Sequence, residues 1–229
     1  MSDTNNTLSC VGMVMDGNRR WAREQGVPKL EGHRKGYKKL QEVVDWCKDE
    51  GVQHLVVYAL STENWNRGED EVGYLMDMMR KLLKDDIGTL RSSESAIHIV
   101  GDLSRFPEDI QGLIKDLHDS NPPEAKYHVW VAASYGGRAE ILAGVNSALQ
   151  NKTNSVDEEG FKKMLWTADM PDPELILRTG GKKRLSNFLT WSSVYSELFF
   201  IDTFWPALTK SEFQEVLDEY RGVGRNFGK

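Results

Sequence analysis

The chain has 229 residues, of which 39% are hydrophobic and 28% charged, with a formal net charge of −6. This composition supplies a sizeable core and excludes a disordered chain. The acidic balance gives no general attraction for nucleic acid, and the two cysteines, Cys10 and Cys47, exclude a disulfide scaffold or a cysteine-built zinc site.

Met1–Thr7 is polar and has neither a basic n-region nor an apolar h-region, so no signal peptide is expected and residues 1–9 read as a flexible tail. No apolar run approaches the ~20 residues of a spanning helix. A reducing, cytoplasmic location is expected, with any membrane contact made peripherally.

Val11–Met15 is a short apolar run that stops at Asp16-Gly17, a turn signal. Tyr37, Leu40, Val43, Val44 and Cys47 recur at helical spacing, which predicts an amphipathic helix from Arg34 to about Asp49, ended by Gly51. Leu55–Leu60 reads as a buried strand, and Val72, Leu75, Met76, Met79 and Leu83 as a second helical stripe. Ala96–Val100 is a strand and Pro107–Leu117 suits a helix. Tyr127–Ser134 is a long strand running into Tyr135-Gly136-Gly137, with a helix to about Leu149. Ser155 with Glu158 has capping-box spacing ahead of a helix to Trp166, and Thr209 with Glu212 repeats it before a last helix to Tyr220. Between them lie strands Glu174–Arg178 and Glu197–Ile201. Alternating strands and helices predict one α/β domain over 1–229, with a six-stranded, mostly parallel sheet flanked by helices.

Ligands of such sheets bind beyond the carboxyl ends of the strands. The first polar group there is Asp16-Gly17-Asn18-Arg19-Arg20-Trp21. It reads equally as a diphosphate site with an aspartate for Mg²⁺, or as a turn before a solvated basic helix. Residues 16–39 hold eight Lys/Arg against three Asp/Glu, and residues 178–184 carry +4, leaving −15 on the remainder. Two cationic clusters on an acidic chain suit a polyphosphate or a nucleic acid. Ser61–Arg67 either orients a substrate or caps the next helix. Glu197 opens an apolar strand, as a buried carboxylate needing a cation or as an exposed strand-end residue. His33, His54, His98, His118 and His128 lack HxxxH or HxH spacing, so zinc is not expected, and His54 and His98 read as packed residues. GxSxG, Walker A and GxGxxG are absent. The methionine-rich stripe 72–83 reads as core before it reads as a lipid channel.

Together, MDGNRRWA (15–22), GH (32–33), YALSTENWNR (58–67), GDLSRFP (101–107), ASYGGR (133–138), LRTGG (177–181), RLSNFLTW (184–191), YSELFF (195–200) and WP (205–206) resemble the cis-prenyltransferase family, most closely its bacterial undecaprenyl diphosphate synthase branch. Nine motifs in family order span nearly the whole chain. The resemblance implies a homodimer, a hydrophobic tunnel beside the sheet, and a Mg²⁺-dependent transferase. That enzyme condenses isopentenyl diphosphate with an allylic diphosphate such as farnesyl diphosphate, giving a long Z-polyprenyl diphosphate of the undecaprenyl class. It implies that Asp16 and Asn64 are catalytic and that Asp16 and Glu197 serve the metal. Gly17, Asn18, Arg19, Arg20, Trp21, Lys29 and His33 would hold the allylic diphosphate. Ser61, Thr62, Glu63, Trp65 and Arg67 would line the loop between substrates, and Arg178, Arg184 and Ser186 would hold isopentenyl diphosphate. As a strand-end residue, Asp16 is expected to contribute little to stability. Small Ala59 matches a tunnel-wall position and favours a long product, with helix 72–83 opposite.

The chain departs from the family at Lys182, where glutamate is usual, and at Lys29, where arginine is common. The C-terminal RxG element is only approximate in Arg225-Asn226-Phe227-Gly228. Asp85-Asp86 does not complete the DDxxD cluster of trans-type synthases. Other readings are a short- or medium-chain Z-prenyl synthase, a non-catalytic partner subunit, which would usually lose Asp16 and the 61–67 motif, and a nucleic-acid-binding α/β protein.

Overall fold

The computed structural model describes residues 8–86 and 94–223, with the side chains of Asp85 and Asp86 left out. The amino-terminal tail up to Thr7 and the Arg225–Gly228 element therefore lie outside the described residues. Six strands form one wholly parallel sheet in the order β3-β4-β2-β1-β5-β6: β1 (Cys10–Val14), β2 (His54–Ser61), β3 (Ser95–Val100), β4 (Tyr127–Tyr135), β5 (Leu175–Arg178) and β6 (Glu197–Phe200). The helices are α1 (Asn18–Glu24), α2 (Lys29–Asp49), α3 (Glu69–Lys81), α4 (Glu108–Asp119), α5 (Gly137–Gln150), α6 (Glu158–Lys162) and α7 (Lys210–Gly222). The packed chain begins earlier than expected. Leu8 is buried, and the Ser9 carbonyl accepts from the amides of Gln53 and His54.

Both faces of the sheet are covered, which is why its strands read as continuous apolar runs. Val11, Met13, Leu55, Val57, Ile97 and Val131 pack against apolar faces of α2, α3, α4 and α7. Cys10, Val56, Trp130, Ala132 and Ile176 meet Phe188, Leu189 and Met170 on the other side.

Two boundaries differ from expectation for identifiable reasons. Helix α2 starts at Lys29, a turn and a half before Arg34, because its first contacts are made by backbone rather than by apolar side chains. A Cβ on Gly32 would lie 2.2 Å from the Asn18 carbonyl oxygen, and one on Gly36 2.2 Å from Asn18 Oδ1. The close approach of α1 and α2 requires glycine at both places, and hydrophobic periodicity cannot register a contact made without side chains. Helix α6 is capped by Asp157, whose side chain accepts from the Gly160 amide at 2.8 Å; Glu158 is then its first residue, so Ser155 and Glu158 form no box, and the helix ends at Lys162 instead of Trp166. The Thr209–Glu212 box is formed as expected.

The histidines are not solitary. His54 and His128 stack with centroids 4.7 Å apart, His98 stacks on Trp130 at 4.0 Å, and His98 Nε2 lies 3.1 Å from His128 Nδ1. On the outer edge of β3, the Ile99 amide donates to His118 Nε2, while Asn121 exchanges two hydrogen bonds with the backbone of Ile97. Side chains thus occupy an edge that would otherwise invite a foreign strand. Burial, and then the neighbouring His128, push His54 and His98 down to about 4; burial also lowers His118.

A histidine whose folded pKa is depressed contributes fully above its unfolded value, about 6.5, and loses that contribution as pH falls toward the folded value. The melting temperature should therefore begin to drop as pH falls below about 6.5, and the part of the fall above about pH 5 precedes protonation of the paired carboxylates. His98→Asn should flatten that slope. Parallel slopes in variant and wild type would remove the cluster from the acid response.

Candidate active site

Strand β1 delivers Asp16 beyond its carboxyl end, next to the end of β5, where Arg178 is the last strand residue. The Asp16 backbone is clamped: its carbonyl accepts from Thr179 Oγ1 at 2.7 Å and from the Trp205 amide at 3.0 Å. Gly17 then turns with φ +115°, a conformation that favours glycine, and a Cβ there would strike Phe204 at 2.8 Å. The turn opens α1, whose start carries no side-chain cap.

The carboxylate sits between two guanidinium groups. Arg178 Nη2 donates to Asp16 Oδ2 at 2.8 Å and Arg20 Nη2 lies 3.0 Å from Oδ1. Burial opposes the charge on Asp16, but the hydrogen bonds from Arg178 and Arg20 outweigh it and hold the carboxyl below its ordinary range. Arg178 also donates to the Arg184 carbonyl and, at 2.7 Å, to Ser186 Oγ; its buried Nε has no partner. Arg20 spans Asp16 and the Gly180 carbonyl while its guanidinium lies over Phe204, 5.0 Å from the ring centroid.

These groups line one cleft of about 1190 Å³. Its walls also include Asn18, Arg19, Arg23, Lys29, His33, Tyr58, Ser61, Glu63, Asn64, Arg67, Arg184, Ser186 and Asn187. Members of both basic clusters, Arg19, Arg20, Arg23 and Lys29 from the first and Arg178 and Arg184 from the second, therefore line a single opening. Burial, then Arg67 and Arg19, hold His33 below its ordinary range, so it is neutral at pH 7. Asn64 caps its own turn: its Oδ1 accepts from the Ser61 amide at 3.2 Å.

Four of the expected site residues do not line this cleft. Trp65 turns inward, donating to Ser134 Oγ at 3.0 Å and meeting Phe106 edge-on. Trp21 and Thr62 are half-buried outside the cleft wall. Glu197 begins β6 and pairs with Leu175, three residue pairs before Arg178 pairs with Phe200. At about 3.3 Å per residue it lies roughly 10 Å down the strand from the Asp16 end, so Asp16 and Glu197 of one chain do not share an ion. Lys182 is exposed and is not part of the cleft wall. Sequence reasoning gave no role to Glu71, which holds Arg67 at 2.7 Å and Arg19 at 3.6 Å, or to Thr179 and Asn187. The four-residue spacing of Arg67 and Glu71 was a usable signal for the first of these pairs.

Among the described residues, no three His, Cys, Asp or Glu side chains gather to hold a metal ion. Asp16 and Glu63 are the acids of the cleft wall. Asp16, whose side chain is 28% exposed in this cationic cleft, fits a hard cation that keeps its waters and takes further ligands from a diphosphate.

A second, apolar pocket of about 120 Å³ continues from the cleft. Met15, Asn18, His33, Ala59 and Leu75 line both; Tyr37, Leu40, Leu60, Met78, Met79, Leu82 and Val131 line the pocket alone. Ala59 stands at the junction, and the methionine stripe of α3 serves both core and pocket.

Residues 14–228 match the family model described as putative undecaprenyl diphosphate synthase. The chain is 36% identical to an isoprenyl transferase of Aquifex aeolicus, over 96% of this chain and 95% of that one. It is 40% identical to a tritrans,polycis-undecaprenyl-diphosphate synthase (geranylgeranyl-diphosphate specific) of Methanopyrus kandleri, over 96% and 84%. Its fold superposes with a TM-score of 0.90 on lavandulyl diphosphate synthase from Lavandula x intermedia in complex with dimethylallyl diphosphate, at 29% identity over 97% and 99% of the chains. A probable undecaprenyl diphosphate synthase from Campylobacter jejuni gives a TM-score of 0.82 at 32% identity, over 98% and 100%.

The geometry revises the expected tolerance of Asp16. Its loss leaves the guanidinium of Arg178, only 4% exposed, without its anion. Asp16→Ala should therefore destabilise the fold by about 1–3 kcal/mol. Added inorganic diphosphate should recover part of the melting temperature by supplying a replacement anion. An unchanged melting temperature would show that the pair contributes nothing to folding.

Proposed function

The chain belongs to the undecaprenyl diphosphate synthase family of cis-prenyltransferases, and we propose that it condenses isopentenyl diphosphate with an allylic diphosphate to make a long Z-polyprenyl diphosphate. The observation that carries this reading is the junction at Ala59, where a cationic cleft of a size to hold two diphosphates runs into an apolar pocket. A prenyl diphosphate has that same polarity, with a charged head and a hydrocarbon tail. Each CH₂ withdrawn from water is worth about 0.8 kcal/mol, so the growing tail is driven into the pocket.

In this reading Arg19, Arg20, Lys29 and the turn at Gly17-Asn18 take the allylic diphosphate, while Arg178, Arg184 and Ser186 take isopentenyl diphosphate. Breaking the allylic C–O bond concentrates negative charge on the leaving diphosphate, and pre-oriented guanidinium groups stabilise it. Mg²⁺ held by Asp16 and the diphosphate would supply further neutralisation of that charge. The proton released from isopentenyl diphosphate needs an acceptor. The Asn64 amide is a poor base and its oxygen already caps a turn. Asp16 is weakened as a base by its two arginines. The departing diphosphate is the better acceptor, with Asn64 orienting the turn.

The starter is the finer question. Farnesyl diphosphate suits the family resemblance, but the Methanopyrus relative is named for geranylgeranyl diphosphate and the Lavandula enzyme was solved with dimethylallyl diphosphate. Small Ala59 at the junction supports a long product of the undecaprenyl class. The pocket's about 120 Å³ favours a short or medium product unless the flexible methionines of α3 give way.

We also propose a homodimer in the cytoplasm, with contact to a membrane surface made through the lipid product. No helix among the described residues is long and apolar enough to cross a membrane. Leu142, Val145 and Leu149 recur at three- and four-residue spacing on α5 and are 62%, 41% and 69% exposed, and β6 is a sheet edge carrying exposed Leu198. A second copy would cover both.

Incubation with farnesyl and isopentenyl diphosphates should release diphosphate and yield long Z-polyprenyl products. EDTA should stop the reaction and Mg²⁺ restore it. No product with any allylic starter would overturn the proposal. Ala59→Leu should close the junction and shorten the product with the first condensation largely retained; an unchanged length distribution would place the tunnel elsewhere.

A further inference from the structure

The condensation proposed above brings two diphosphates side by side in a cleft whose walls come from segments far apart in sequence. Two of those segments are the 3₁₀ turn Thr62–Asn66 at the end of β2 and the loop around Arg184 and Ser186. They meet at Asn187. Its Nδ2 donates to Glu63 Oε1 at 3.0 Å. Its Oδ1 accepts from the Arg138 amide at 2.9 Å, and its backbone carbonyl accepts from the Gly137 amide at 2.7 Å. The start of α5 therefore fixes which way the amide faces: with oxygen taken by a backbone N–H, the NH₂ group is left for the carboxylate.

The backbone is specialised for this contact. Ser186 and Asn187 hold φ of 52° and 67°, a region that few non-glycine residues adopt but that asparagine tolerates. Gly136 gives the side chain room, since a Cβ there would lie 2.6 Å from Asn187 Nδ2 and 2.6 Å from Thr62 Oγ1. On the adjacent residue, Ser186 Oγ accepts from Arg178 at 2.7 Å and from Arg184 Nε at 3.2 Å. Burial opposes the charge on Glu63. Its own backbone, Ser61, Asn187 and Thr62 outweigh burial and keep it ionised. One asparagine is thus bonded to the turn while its neighbour, on the same loop, touches Arg184 of that loop and Arg178 at the end of β5.

We propose that Asn187 is a positioning residue that latches the Thr62–Asn66 turn to the Arg184–Ser186 loop, beside Arg178 at the end of β5, so that the carboxylate of Glu63 is placed by the same loop that receives isopentenyl diphosphate. The site labels rest on the function proposed above; the latch itself rests on the contacts. It makes a defined polarity demand, since Glu63 can only accept and residue 187 must donate.

The test reverses that polarity. Asn187→Asp keeps the shape, tolerates the same φ and still accepts from Arg138, but sets a carboxylate against Glu63. It should lower kcat/KM for isopentenyl diphosphate on the order of tenfold or more, as expected for a lost charge-assisted hydrogen bond, and speed hydrogen exchange of amides 62–66. In Asn187→Asp with Glu63→Gln, the Gln Nε2 donates to the aspartate and the bond re-forms in the opposite sense. The double variant should recover the slow exchange and show less loss than the product of the two single losses. Independent, multiplicative losses, or exchange at 62–66 that is the same in all four proteins, would overturn the latch. Exchange needs no turnover, so a wild-type chain that made no prenyl product would refute the proposed reaction and leave the latch standing.

Discussion

A guanidinium group buried in the last row of a parallel sheet requires anions and carbonyls around it. Arg178 is 4% exposed, and the cost of burying an unpaired charge at that depth is several kcal/mol. Asp16, Ser186 and the Arg184 carbonyl meet that demand. Because Asp16 follows β1 while Arg184 and Ser186 lie in the loop after β5, satisfying one side chain fixes the end of β1, the end of β5 and that loop relative to one another. The unpartnered Nε leaves one donor over. An electrostatic site built this way is organised before any ligand arrives, which is the condition under which fixed charges stabilise a leaving group most effectively.

The second constraint is closeness of backbone. Gly32 and Gly36 let α2 lie directly on Asn18, and Trp205 donates to the Gly36 carbonyl at 2.8 Å while its own amide holds the Asp16 carbonyl. The turn that bears the arginines is thus pressed between a glycine-faced helix and a buried indole. Any side chain at either glycine would push α1 outward and take Asp16 and Arg20 with it. Positioning in this half of the site comes from missing atoms as much as from hydrogen bonds.

Much of this was legible in the chain. Apolar runs gave the strands because both sheet faces are covered, and Asp16, Arg178 and the 61–67 segment stood out as the polar groups at the carboxyl ends of those runs. Residues whose direction depends on register or on turn geometry were not legible. Glu197 sits in a motif beside the site in sequence, yet a parallel strand carries its first residue to the far end of the sheet. Trp65 lies in the middle of a polar loop, yet a single 3₁₀ turn swings it onto Phe106. Asn187 was one letter of a motif, because its role depends on two amides of α5 and one carboxylate that only the fold brings to it. The histidines of β2, β3 and β4 gave no motif because a parallel sheet groups residues by register, through pairs such as His54 with His128, and not by spacing along the chain.

The same register argument separates stability from chemistry. His54 and His128 sit at the amino ends of their strands, and the groups of the cleft sit at the carboxyl ends. The two ends make opposite electrostatic demands. The histidine end is most stable when its rings are neutral, since they stack at 4.7 Å and protonation would set like charges face to face. The cleft end holds charge at high density and draws on ligands to balance it. A strand long enough to reach both ends can carry a desolvated neutral cluster and a charged site without either perturbing the other. Between them lies about 20 Å of apolar sheet, the length of a typical six-residue strand. Substitutions at the histidine end should for that reason act on folding and not on the cleft, whose geometry is fixed locally by Arg178, Asp16 and the glycines of α2.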